Sequence, residues 1–152
     1  MTESDPVPSA ARGGEAHGNA VPPGFATFLN MRVVAWGPDR IEVALDLRPE
    51  LQNSHGTPHG GVLMSLLDTA CTLSGCYRPS PQRPLRAMTV SLTANFLGQA
   101  RGGTILARAH RTGGGARVYM SSAEIFDGEG HLIATGQGVF RYRVSEGGES
   151  AP

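Results

Sequence analysis

Asn53, His59, Gly60, Gly61 and Asp68 stand in one run, N-S-H-G-T-P-H-G-G-V-L-M-S-L-L-D, and their types suit attack on a polarised carbonyl. Unpaired N–H groups at a helix N-terminus favour a partial negative charge. Two glycines let a ligand oxygen come close to that backbone, and a carboxylate supplies a base or a nucleophile. Gly56, Pro58, Gly60 and Gly61 oppose a smooth helix before about Val62. From there Val62, Leu63, Leu66, Leu67, Ala70 and Cys71 recur at helical spacing, so the run is a loop that feeds a helix. Asp68 lies roughly 10 Å along that helix from Gly61. A single helix therefore holds the electrophilic mouth and the acid too far apart to act together.

The elements that must position this run are legible by periodicity. Phe25 to Leu29 forms a short helical turn; Met31 to Trp36 and Arg40 to Leu47 are strands joined at Gly37-Pro38-Asp39. Ile41, Val43, Leu45 and Leu47 alternate with Glu42, Ala44 and Asp46, as in a sheet with one buried face. The helix is predicted to end near Tyr77, and four strands follow: Ala87 to Leu97, Thr104 to Thr112, Arg117 to Asp127 and His131 to Arg143. The connections Gly98 to Gly103 and Gly113 to Ala116 are short enough for antiparallel neighbours, and Asp127-Gly128-Glu129-Gly130 is a hairpin turn. One helix cannot cover both faces of such a sheet. The expected fold is α+β: a curved antiparallel sheet wrapped around one long central helix, with a remaining edge or face against another copy.

The 152 residues fit a single domain. Residues 1–23 and 145–152 are rich in Gly, Pro and small polar residues without a period, and are expected to be disordered tails around a domain at 24–144. Zero formal charge and the lack of a basic cluster in the sequence argue against a nucleic-acid partner. No apolar run reaches membrane length and residues 1–23 lack a secretory pattern, so no membrane partner and a cytoplasmic location are expected. Cys71 and Cys76 are too few for a disulfide framework and are expected to be reduced thiols.

The order of elements, with N-x-x-G-x-x-H-G-G-x-x-x-x-x-x-D from Asn53 to Asp68, resembles the hotdog-fold acyl-CoA thioesterases of the phenylacetate-degradation (PaaI-like) type. The resemblance runs from about Phe25 to Arg143 and takes in M-T-V-S-L-T-A-N-F-L from Met88, the G-A-R turn from Gly115 and D-G-E-G-H-L-I-A-T-G-Q-G from Asp127. It implies hydrolysis of an acyl-CoA to a free acid and CoA, with no cofactor and no metal, in a homo-oligomer built as a dimer of dimers. The site is then shared: loop and helix mouth from one subunit, the helical acid from its neighbour. Carried over residue by residue, the Gly60 N–H polarises the thioester carbonyl and Asn53 assists it or fixes the loop. Asp68 activates water or attacks directly, Thr89 holds that water, and His59 orients the loop or the acyl group. Gly61, Val90, Ser91, Gly114, Gly115 and Arg117 are the implied substrate-binding positions.

Relatives often carry a basic residue where Ala116 stands, leaving Arg117, with Arg101 or Arg111 as substitutes, for the CoA phosphates. Met64, Leu67, Met88 and Phe96 are candidate acyl-pocket residues. His55 and His59 have a zinc-like spacing, but Gly56 and Pro58 interrupt it and no third ligand accompanies them. Gly113-Gly114-Gly115 lacks the Lys-Ser/Thr of a phosphate loop and reads first as a plain strand turn, with a turn that also lets CoA approach as the alternative. Two rivals remain. A hotdog dehydratase or hydratase would need a His and an acid in an Asp-x-x-Asn-Pro-x-His pattern absent here, and a non-catalytic acyl-CoA binding module would have no use for Asp68.

Overall fold

The structure, a computed structural model, describes residues 24–79 and 84–143. The two expected tails lie outside the described residues. A short helix α1 (Phe25–Phe28) leads into β1 (Arg32–Gly37) and β2 (Arg40–Asp46), then a 3-10 turn (Pro49–Leu51) and the long helix α2 (Gly60–Ser74). Four strands complete the chain: β3 (Ala87–Phe96), β4 (Thr104–Gly114), β5 (Val118–Phe126) and β6 (Leu132–Tyr142).

The strands form one antiparallel sheet in the order β1-β2-β4-β5-β6-β3. Helix α2 touches β2, β3, β4, β5 and β6, so the sheet wraps it as the alternation predicts. Leu63, Leu66, Leu67, Ala70 and Cys71 are buried against Ile41, Val43 and Leu45 of β2 and against Ile105 and Ile125 further across. The strands beneath the helix axis carry small residues: Ala107, Ala109, Ala123, Ala134 and Gly136. At Gly136 a Cβ would sit 3.1 Å from Leu67, so glycine there sets the depth to which the helix sinks. Each leucine buried in this way contributes about 2 kcal/mol of transfer free energy.

Three expectations need correction. Gly98 to Gly103 does not join neighbours: β3 pairs with β6 at the sheet edge, and β4 lies between β2 and β5. The chain crosses three strand spacings, about 14 Å, which the connecting segment spans with slack when extended. Helix α2 begins at Gly60 rather than near Val62, because His59 caps it. It ends at Ser74 rather than near Tyr77, because Gly75 takes a non-helical geometry in close contact with the Tyr119 ring.

Both cysteines are buried free thiols, and burial pushes each from 9.0 to about 11, so they stay protonated. Among the described residues no helix is long and apolar enough to cross a membrane.

Candidate active site

Helix α2 is tied at its C-terminal end and open at its N-terminal end. The Tyr119 hydroxyl donates to the Thr72 carbonyl, Trp36 Nε1 to Leu73 at 3.1 Å and the Tyr142 hydroxyl to Gly75 at 2.8 Å. Ser74 Oγ donates to the Cys71 carbonyl at 2.8 Å and meets Ser121 Oγ at 2.8 Å. The carbonyls that a helix end leaves without partners are thus satisfied from β1, β5 and β6.

At the other end His59 takes up most of the donors. Its carbonyl accepts from Val62 at 2.8 Å and Leu63 at 3.3 Å, and its Nδ1 accepts from the Gly61 N–H at 2.9 Å. Nδ1 is therefore the unprotonated ring nitrogen, which places the ring proton on Nε2. Among the described residues no acceptor takes the Gly60 N–H. One donor of the first turn is left facing outward, at the position expected of an oxyanion donor.

Asn53 shapes the loop that leads there. Its Oδ1 accepts from the His55 N–H at 2.9 Å, the Thr57 N–H at 3.3 Å and the Thr57 hydroxyl at 3.2 Å. Backbone bonds from Asn53 to the Thr57 carbonyl, 2.8 Å, and from His59 to the Leu51 carbonyl, 2.9 Å, close the loop. Of the two roles foreseen for Asn53, this geometry supplies the loop-fixing one.

Asp68 projects from the middle of α2 toward the edge strand, where Thr89 Oγ1 donates to its Oδ1 at 2.6 Å. The hydroxyl proton fixes one carboxylate oxygen and leaves the other for a substrate or a water. Gly60 lies at the opposite end of the same strand, where a Cβ on it would meet the Phe96 ring at 3.7 Å. Strand β3 thus carries the acid's partner near its start and the mouth's neighbour at its end. Gly61 sits with Gly60, and Val90 and Ser91 follow Thr89 on β3, whereas Gly114, Gly115 and Arg117 lie at the same end of the sheet but two to three strands across it, as Ala87 pairs with Tyr142 and the Tyr142 N–H donates to the Arg117 carbonyl at 3.0 Å. Within one chain the candidate residues fall into two groups.

Other candidates separate. Leu67 is fully buried against Gly136 and belongs to the core, not to a pocket. Met88 alternates with Thr89 and so stands on the outer face of the sheet, 47 % exposed, opposite Arg141. Met64 is half-buried on α2, and Phe96 is 53 % exposed beside Gly60. Arg111 is held by Asp39 at 3.6 Å and by the Gly113 carbonyl at 3.4 Å, while Arg101 is exposed in the crossover after β3. Gly113 and Gly114 end β4, paired with Met120 and Tyr119, and Gly114 at φ +119 leads into the β4–β5 turn at Gly115, whose N–H bonds to the Val118 carbonyl at 2.8 Å. Asp127, Glu129 and His131 converge, but as a turn brace: Asp127 Oδ1 accepts from the N–H groups of Glu129 at 2.9 Å and His131 at 2.8 Å. Those bonds, the His131 N–H first, hold the Asp127 carboxyl below its ordinary range.

Trp36, Tyr119 and Tyr142, the side chains that fix the helix carrying Asp68, carry no motif that marks them in the sequence. A polar tip on an aromatic residue at an inward strand position was the available signal for the two tyrosines.

Residues 55–134 match the thioesterase superfamily. A Pseudomonas aeruginosa protein described as a candidate esterase, PA0474, is 34% identical over 102 residues, covering 66% of this chain and 74% of its own. Among solved structures, the conserved protein PA5202 of the same organism superposes with TM-score 0.72 at 26% identity, over 85% of this chain and 100% of that one. A mutant form of the phenylacetic acid degradation protein PaaI from Thermus thermophilus gives TM-score 0.68 at 28% identity, over 79% and 98%.

Proposed function

This chain belongs to the thioesterase superfamily, and from that premise we propose that it hydrolyses acyl-CoA thioesters at a site completed by two subunits. The carrying observation is the placement of the two half-sites at opposite ends of an exposed edge strand: Asp68 with Thr89, and Gly60 with Phe96. An unpaired edge of this length is a template for another strand. Antiparallel pairing of β3 with a second β3 about Thr93 sets Leu92 against Ala94 and Ser91 against Asn95. Past the bulge at Val90, Thr89 then falls opposite Phe96 of the second copy. Every pair in that register shares a face of the sheet, as antiparallel partners must. Asp68 of one copy thereby meets Gly60 of the other. The isologous dimer carries two such sites.

In that site the Gly60 N–H, aided by the helix dipole, stabilises the oxyanion as the thioester carbonyl becomes tetrahedral. Asp68, oriented by Thr89, either takes a proton from a water that attacks the carbonyl carbon or attacks that carbon itself, giving an acyl-aspartyl anhydride that a water then hydrolyses. The C–S bond breaks as the tetrahedral intermediate collapses, the thiolate takes up a proton and leaves as CoA, and the acyl group leaves as the carboxylic acid. No metal or cofactor takes part in this reading, and a tetramer forms by pairing two such dimers.

A thiol-release assay over aromatic and aliphatic acyl-CoAs tests it. Wild type is expected to release CoA from at least one. Asp68→Asn, which keeps shape and loses basicity, is expected to lower kcat by about a hundredfold or more with KM nearly unmoved. Retention of over a tenth of wild-type kcat in that variant would remove Asp68 from the chemistry.

A further inference from the structure

We propose that the Phe96 ring is a selectivity wall at the reacting carbonyl, which admits acyl groups that are unbranched at the carbon next to the thioester and excludes those with a second substituent there. The inference rests on the thioesterase reading above and names the class of acyl group that the site takes.

Two rings border the mouth of α2. A Cβ built on Gly61 would stand 3.0 Å from Nδ1 of His59, and one built on Gly60 would stand 3.7 Å from Cζ and 3.8 Å from Cε2 of Phe96. The two glycines therefore answer different needs. At Gly61 a side chain crowds the capping ring, so the cap itself favours glycine. At Gly60 the contact with Phe96 is an ordinary van der Waals distance, and the residue opens a right-handed helix, a conformation open to any L-residue. Neither backbone nor packing asks for glycine there. The space it leaves adjoins the first-turn N–H that, among the described residues, has no acceptor, which makes it room for a ligand.

Phe96 is placed to limit what enters that space. It lies on the inner face of β3, the face on which Thr89 meets Asp68, and the β6 residue opposite it is the small, fully buried Ala134. The ring reaches the helix mouth yet stays 53 % exposed, so it borders the opening and is not swallowed by the core. In the β3 pairing set out above, Thr89 of the second copy falls opposite Phe96. The ring then stands between the oxyanion donor of its own chain and the acid of the other.

Distances set the limit. A carbonyl oxygen about 2.9 Å from the Gly60 nitrogen puts the next acyl carbon about 5 Å from that nitrogen. One carbon–carbon bond added to the 3.7 Å separation puts the edge of the Phe96 ring at most about 5 Å from the Gly60 Cα. Acyl carbon and ring edge thus have the same reach from Gly60, and they meet at about one van der Waals contact. A methylene passes such an edge. A methyl branch on that carbon adds about 1.5 Å of bulk and overlaps the ring.

The test compares butyryl-CoA with its branched isomer isobutyryl-CoA, and phenylacetyl-CoA with its α-methyl homologue, in wild type, Phe96→Ala and Phe96→Leu. Taking the ratio of kcat/KM within each pair, and comparing it between proteins, cancels the lower intrinsic reactivity of branched thioesters. Calorimetry of the matching ketones, in which a methylene replaces the sulfur, makes the same comparison without turnover. Phe25→Ala, which removes an exposed ring on α1, is the control and should keep the wild-type ratio. Wild type is expected to favour the unbranched member of each pair. In Phe96→Ala the ratio should fall at least about tenfold, through a gain on the branched substrate, and the preference among ketones should fall in step. Phe96→Leu keeps an apolar side chain on the strand and should move both readings the same way by less, which keeps the comparison readable if the alanine variant fails to fold. An unchanged ratio in folded variants overturns the wall and leaves the thioesterase reading standing. A wild type that hydrolyses none of the four thioesters, yet prefers unbranched ketones and loses that preference in Phe96→Ala, supports the wall and sinks the thioesterase reading instead. A wild type without preference in either measurement also overturns the wall.

Discussion

Two inactive variants mixed together test the shared site most directly. Asn53→Ala removes the oxygen that accepts three donors in the mouth loop, a loss on the order of 2 kcal/mol. A domain of ordinary stability survives that loss, so the subunit folds with a misshapen mouth and an intact acid. Asp68→Asn does the reverse. If Thr89 of one copy lies against Phe96 of the next, a heterodimer has one site carrying both defects and one carrying neither. Random pairing of equal amounts makes half the dimers heterodimers, and one site in each is wild-type, so about a quarter of full activity should return after joint unfolding and refolding. Thiol release measures the recovery, and mass spectrometry of the native mixture measures the heterodimers. The register is checked with Thr93→Cys: residues facing each other across the two-fold axis have Cα atoms about 5 Å apart, within disulfide range, so an intersubunit crosslink should form on mild oxidation. Confirmed heterodimers without recovery would place both residues in the same site of one chain and refute the distance argument.

The cap and the thiols give two further expectations. His59→Ala should lose about 1 kcal/mol of stability and most of its turnover, whereas His59→Asn, whose Oδ1 can accept the Gly61 N–H, should recover kcat; kcat that stays low in the Asn variant with the melting temperature restored would mean that the ring itself acts on substrate. Cys71 and Cys76 have their pKa raised by burial from 9.0 to about 11, so their contribution is full below pH 9 and is lost as pH rises toward 11, on the order of 2 to 3 kcal/mol per thiol. Urea midpoints of wild type and the Cys71→Ala, Cys76→Ala double variant between pH 8 and 11 check this, and equal slopes for the two proteins would contradict it.

Much of this arrangement was legible along the chain because it depends on local spacing. The apolar period from Val62 to Cys71 located the helix, alternation from Ile41 to Leu47 located a half-buried strand, and the Asp127 turn was plain from its glycines. The β3–β6 pairing was not legible, since short loops favour neighbours in sequence and nothing local reports that β4 inserts between β2 and β5. The helix start was misplaced by two residues because histidine is not among the usual capping residues, and its Nδ1 took that role only in this loop geometry. Leu67 looked like a pocket residue by type, but burial depends on Gly136, sixty-nine positions away.

The side chains that finish the C-terminal end of α2 come from residues 36, 119 and 142, so the helix waits on both earlier and later parts of the chain. By Gly75 the nascent polypeptide already contains the whole helical segment, yet the Thr72 carbonyl and the Gly75 carbonyl at the cap lack their tyrosine hydroxyl donors until Tyr119 and then Tyr142 have been made. Closing contacts of such sequence separation is slow compared with forming the helix itself. The apolar face of α2 is therefore exposed through most of synthesis, and stable docking is an event of the completed chain rather than of the growing one. Because β6 alone holds β3 in the sheet, Thr89 comes to rest against Asp68 only when the last strand has arrived.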